Sequence, residues 1–79
     1  MEKLSKKAKR VYEFELDNIE RRVTLGEICR ECHTTVPTLF KKTYPELLQK
    51  GYFLKENDLY VFSEEKAIEY LTEKLGTTI

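Results

Sequence analysis

The string Cys29-Arg30-Glu31-Cys32-His33 holds the densest chemistry in the chain. Taken alone, it has the Cys-x-x-Cys-His spacing at which c-type haem is attached. Against haem, no export signal is visible, and the only methionine that could serve as a distal ligand is Met1. Zinc fails on ligand count: Cys29, Cys32 and His33 make three, and a closed structural site takes four. A site shared across a dimer has nothing in the sequence to support it. A redox pair needs an exposed, low-pKa thiol at a helix N-terminus, whereas these two fall at the middle and end of a short helical segment. The remaining reading is two small core thiols, kept reduced in a cytoplasmic compartment. With one histidine, no glycine-rich phosphate loop and no acidic metal motif, no nucleophile–base–acid set can be assembled. The chain is therefore read as no enzyme, with no metal and no cofactor.

The elements that position this string run from Thr24 to Lys42. Thr24 and Glu27 have capping-box spacing, and Leu25, Ile28, Cys29 and Cys32 then recur on one helical face. A turn is predicted at His33-Thr34. A second helix starts with Thr35 as N-cap and Pro37 in the first turn, where a missing N–H costs nothing. Val36, Leu39 and Phe40 form its predicted apolar stripe, and Thr38, Lys41 and Lys42 lie off that stripe, facing outward. Pro45 breaks a helical hydrogen bond at roughly 3 kcal/mol. The second helix is thus predicted to stop near Lys42, with a fresh turn from Tyr44 to Lys50 anchored by Leu47 and Leu48 and ended by Gly51. A kinked continuous helix is the alternative.

The run Glu27-Ile28-Cys29-Arg30-Glu31-Cys32-His33-Thr34-Thr35-Val36-Pro37-Thr38-Leu39 resembles a helix-turn-helix of the winged-helix group. Cys29 stands where alanine is usual, Cys32 where leucine or alanine is usual, and His33 where glycine is usual. A non-glycine residue at positive φ carries a cost that histidine tolerates better than most. Beyond the motif, GYFLKENDLYVF is similar to a wing hairpin. Ser63 to Leu75 is similar to the helix that follows the wing in MerR- and excisionase-like domains. The resemblance covers roughly residues 23 to 75. It implies a mainly α fold with a small β-hairpin, and double-stranded DNA as partner. It also implies a short strand at Val23-Thr24 that pairs with the wing.

Under that resemblance, helix 36–42 would lie in the major groove. Thr34 and Thr35 would bond phosphates, Thr38 would meet a thymine methyl or a base edge, and Lys41 and Lys42 would reach phosphate or guanine. Arg21 and Arg22, just before the motif, could touch the duplex backbone. Lys55 is the one cation of the hairpin tip. Glu56 and Asp58 flank Asn57 there, so the tip is more acidic than a DNA-probing wing usually is.

Taken in order, 1–79 reads as one domain. A long N-terminal helix is predicted over 3–22, with Leu4, Ala8, Val11, Tyr12, Leu16 and Ile19 on its stripe and Phe14 off it. Arg21 and Arg22 would close this helix, where cations complement the macrodipole. Its opening cations Lys3, Lys6, Lys7, Lys9 and Arg10 are either phosphate contacts or a solvated helix start. The helix-turn-helix occupies 24–50. The hairpin occupies 52–62, with strands at 52–55 and 59–62 around a tip from Lys55 to Asp58. A C-terminal helix over 63–75 has Ser63 as cap, Ala67, Ile68, Leu71 and Leu75 as stripe, Tyr70 beside it and Gly76 as C-cap. Thr77, Thr78 and Ile79 are expected to be loose.

Charged residues at 35% and hydrophobic residues at 41% suit a folded domain rather than a disordered one. Net charge is zero, which argues against a strong electrostatic partner. Residues 1–42 nevertheless carry 10 Lys/Arg against 7 Asp/Glu, and residues 43–79 carry 4 against 7. The cationic half contains the helix-turn-helix. No apolar run can cross a membrane, and the basic N-terminus leads into an amphipathic segment rather than a signal-peptide core. A domain this small gains from dimerisation, here a homodimer through the N-terminal and C-terminal helices. Two functions follow. One is a small DNA-binding protein, a transcriptional regulator or an excisionase-like architectural factor. The other is a winged helix used only for protein contacts, through Phe14 and its neighbours or through the last helix.

Overall fold

Ser5 starts the first helix: its hydroxyl accepts the N–H of Ala8 at 3.2 Å. In the computed structural model, which describes residues 3–76, helix α1 spans Lys6–Asp17 and buries Ala8, Val11, Tyr12 and Leu16. These lie three and four residues apart, so one stripe faces the core. The helix is shorter than the predicted 3–22. The side-chain amide of Asn18 donates to the Phe14 carbonyl at 2.8 Å, the acceptor its own backbone N–H would use in a continuing helix. That N–H turns to Glu15 instead, and the helix stops. Ile19, expected on the stripe, is 58% exposed. Arg21 and Arg22 lie in the following loop and close no helix.

Val23 packs against the core without forming a strand, so the predicted pairing of Val23-Thr24 with the hairpin is absent. Helix α2, Leu25–Cys32, opens on the predicted capping box. Thr24 Oγ1 accepts from Glu27 N–H at 3.1 Å, and Glu27 accepts from Thr24 N–H at 3.4 Å. Ile28 and Cys32 are buried, Cys29 is half-buried and Leu25 is exposed. His33 ends the helix in the left-handed region, φ 54° and ψ 52°. There the N–H of Thr34 reaches back to the Cys29 carbonyl at 3.0 Å.

The next helix does not stop at Lys42. Helix α3 covers residues 36–49 in three parts: Val36–Thr38, a π-helical turn over Leu39–Thr43, and Tyr44–Gln49. Thr35 caps it. In the π turn the N–H of Tyr44 donates five residues back, to Leu39. The extra residue places Pro45 in the first turn of a fresh α-helical segment, where its missing N–H and its ring break nothing. The helix is continuous, and the proline is absorbed rather than obeyed. Leu39, Thr43, Tyr44 and Leu47 are buried. Val36 and Phe40, predicted on the apolar stripe, are exposed.

Strands β1, Phe53–Glu56, and β2, Leu59–Phe62, pair antiparallel with Phe53 opposite Phe62 and Glu56 opposite Leu59. Their turn is the two residues Asn57 and Asp58, with φ of 50° and 65°. That is the type I′ pattern, which matches strand twist and which Asn and Asp tolerate. The tip is therefore tighter than the predicted four residues. The N–H of Ser63 donates to the Tyr52 carbonyl at 3.0 Å and closes the base of the hairpin.

Helix α4, Glu64–Leu75, runs from the Ser63 cap to Gly76 at φ 65°. Its predicted stripe is rotated. Ala67 and Tyr70 pack on the core, whereas Ile68 is 64% exposed and Leu71 is exposed. The reason is the ring of Tyr12, which meets Tyr70 edge-on at 5.1 Å and also contacts Tyr52, Phe53 and Phe62. An aromatic partner there outweighs an aliphatic stripe. The expectations for the Leu75 side chain and for a loose end at 77–79 lie outside the described residues. The fold is mainly helical, four helices with one small antiparallel hairpin, and no described helix is long and apolar enough to cross a membrane.

Candidate functional site

The outward residues of α3 form the most coherent polar surface among the predicted site residues. Thr35 and Thr38 hold each other at the start of the helix. Thr35 Oγ1 accepts the Thr38 N–H at 3.4 Å and donates its own proton to Thr38 Oγ1 at 3.0 Å. The Thr38 hydroxyl therefore keeps its proton for an external acceptor. Lys41 and Lys42 follow in the π turn. Both are exposed, and neither enters an ion pair among the described residues.

The opposite side of α3 is fastened firmly. Tyr44 stacks on Tyr60 at 4.8 Å and donates its hydroxyl to Glu15 at 3.2 Å, linking α3 to both β2 and α1. Burial pushes the Glu15 carboxyl up to about 7, with the Tyr44 bond offsetting part of the rise. Burial, then the Glu15 charge and hydrogen bond, push the Tyr44 phenol up. Phe40, half out in solvent, lays its ring edge-on against Tyr44 at 5.4 Å.

The remaining predicted residues are dispersed. Thr34 holds its hydroxyl buried with no partner among the described residues, so that group is withdrawn from the surface. Arg21 is engaged at the surface: its Nε donates to Asn18 at 3.0 Å, and its guanidinium pairs with Glu27 at 3.0 Å. The Arg21 bond, followed by the Thr24 N–H, holds the Glu27 carboxyl below its ordinary range. Arg22 is exposed beside it. Lys55 lies over the Tyr60 ring at 5.8 Å, so through Tyr60 and Tyr44 the hairpin cation is tied to α3.

The Cys-x-x-Cys-His string is absorbed by packing. Cys32 is buried with its sulfur 3.8 Å from the Arg10 carbonyl, and burial first, then nearby Glu15, pushes its thiol up. A buried thiol with a raised pKa is a poor nucleophile. His33 is spent on the left-handed helix end. Among the described residues, no group of three or more His, Cys, Asp or Glu converges in a way that could hold a metal.

One feature escaped the sequence. Glu46 on α3 accepts both the N–H and the hydroxyl of Ser5, at 2.7 and 2.8 Å, and pairs with Lys50 at 3.1 Å. Burial would raise Glu46, but the Ser5 bonds and Lys50 together hold it below the usual carboxylate range. This pins the start of α1 beside the outward face of α3, across 41 residues of chain. Thr43 and Glu46 have capping-box spacing, yet Thr43 makes no side-chain cap bond and Glu46 bonds Ser5 instead. Comparisons with known protein families, with curated proteins and with solved structures return no match.

Proposed function

We propose that the chain is a small DNA-binding protein of winged-helix type, a transcriptional regulator or an excisionase-like architectural factor, which inserts helix 36–42 into the major groove. One observation carries the reading. Thr35, Thr38, Lys41 and Lys42 stand on one capped helix, with two hydroxyls and two unpaired ammonium groups turned outward while its other side is braced by Tyr44. A helix fits that groove, and these side-chain types bond phosphates and base edges there. Arg22 and Lys55 would add backbone contacts at the flanks, while Arg21 would act through Glu27 by holding the start of α2. Because net charge is zero, affinity would come from this face and not from the molecule's overall field.

The test is a gel-shift series with random-sequence duplex across salt concentrations. The reading requires binding that weakens linearly on a log–log plot against salt. Absence of any shift at low ionic strength overturns it. A second reading, protein contact without DNA, is favoured by α4: Ile68 and Leu71 are exposed on its outer side, and Leu59 on β2 is 66% exposed. A homodimer through the terminal helices would cover part of that surface. Sedimentation of the free chain separates a dimer from a monomer awaiting another protein.

A further inference from the structure

The start of α1 and one side of α3 enclose a groove of about 400 Å³, lined by Ser5, Lys6, Lys7, Thr38, Lys42, Thr43 and Glu46. Lys6, Lys7 and Lys42 are exposed and enter no ion pair among the described residues. The backbone N–H groups of Lys6 and Lys7 belong to the first turn of a 12-residue helix, where no intrahelical acceptor exists. The one carboxylate in the groove, Glu46, is already satisfied by Ser5 and Lys50. The balance of the lining is therefore cationic and rich in free donors.

Thr43 supplies an independent observation. It is the one buried polar residue among the described residues, only 3% exposed, and it lines this groove. Its hydroxyl has no hydrogen-bond partner among the described residues. Its oxygen opens onto the groove instead of being sealed in the core, so a ligand seated there can complete it.

We propose that this groove is a phosphate-binding site and that it takes a backbone phosphate of the duplex strand running beside α3. The proposal rests on the DNA-binding reading above and adds a second point of attachment to it. Lys6, Lys7 and Lys42 neutralise the phosphate, the first-turn N–H groups and the Thr43 hydroxyl donate to its oxygens, and Glu46 holds the two walls at their spacing. Such a contact carries no sequence information. It fixes the angle at which α3 enters the groove.

The test compares the full chain with Lys6→Gln/Lys7→Gln, Thr43→Val and Thr43→Ser variants on random-sequence duplex across salt. The double variant should lower the salt slope by about one for each lysine that meets a phosphate. Thr43→Val should weaken binding about fivefold, the worth of one hydrogen bond, and Thr43→Ser should restore it. Circular dichroism of each variant establishes that it is folded. If the native chain binds duplex and the variants match it in slope and affinity, the groove is overturned and the reading of α3 stands. If the native chain binds no duplex, that reading falls, and so does duplex as the source of the phosphate. Inorganic pyrophosphate, followed by amide shifts at Lys6, Lys7 and Thr43, then decides the groove alone: saturable shifts keep it as a site for free phosphates, and none overturns it.

Discussion

The hydroxyl of Tyr44 donates to the carboxylate of Glu15 across 3.2 Å, joining the inner side of α3 to α1. Burial lifts Glu15 from an ordinary value of 4.5 to about 7, so the folded chain holds this proton more tightly than the unfolded chain. The resulting stabilisation is complete below about pH 4.5 and is lost as pH rises through 7. It amounts to on the order of 2–3 kcal/mol. Glu13 and Glu46 act in the opposite sense. Both are held below 4.5, Glu13 chiefly by the Tyr70 hydroxyl, and their contribution is lost as pH falls through their lowered values. Stability should therefore peak near pH 4.5 and decline until about pH 7. Thermal melts across this range check it, and Glu15→Gln should flatten the decline while raising stability at pH 8. A native melt unchanged from pH 5.5 to 8 would refute the assignment.

Removing Glu46 should release the start of α1. Glu46→Ala deletes two hydrogen bonds to Ser5 and the Lys50 pair, and is expected to cost roughly 1–3 kcal/mol. Glu46→Gln, which keeps an acceptor, should cost less. Urea midpoints give the magnitude. Hydrogen exchange at Ser5 and Ala8 gives the location, because both amides should lose protection well before those of Val11 and Tyr12.

His33 occupies a left-handed position that glycine adopts without strain. His33→Gly should stabilise the chain by about 0.5–1 kcal/mol, part of the relief being returned to the more flexible unfolded state. His33→Val, β-branched at positive φ, should destabilise it. Denaturation midpoints falling in the reverse order would mean that the imidazole makes a contribution of its own.

The reading of α3 as a groove-entering helix is tested most directly at its two lysines. Lys41→Ala/Lys42→Ala should weaken duplex binding and reduce its salt slope by about two. Both side chains are exposed and unpaired, so the melting temperature should hold within the surface range of about 0.5 kcal/mol. Unchanged affinity and slope would remove α3 from the interface.

What could be read in advance was local. The Thr24–Glu27 capping box, the Thr35 and Ser63 caps, the Gly76 helix end and the turn of the hairpin each depend on residues within four positions of one another. Short-range bonds decide such features. What failed was decided at a distance or by competition. Ile19 continues the α1 period, yet the Asn18 side chain stops the helix first. Ile68 and Leu71 look like a buried stripe until Tyr12 selects Tyr70 in their place. Pro45 signals a break, but a π turn accommodates it. Lys41 and Lys42 face outward as their types suggest, but phase alone did not decide the segment, since Val36 and Phe40, phased for the core, are exposed as well. The Ser5–Glu46 clasp was not legible, since no pattern in either segment refers to the other.

The surplus residue in the middle of α3 separates two tasks that a straight helix would have to share. Each residue turns an α-helix by about 100°, so one extra residue swings everything downstream by that angle. Ahead of the swing the chain displays; behind it, Tyr44 and Leu47 anchor. Shortening 39–43 by a single position would restore an even winding and carry Tyr44 away from Glu15. Lys41 and Lys42 could thus be rewritten without disturbing the anchor, whereas buried Leu39 could not, and the length of the segment could not change by even one.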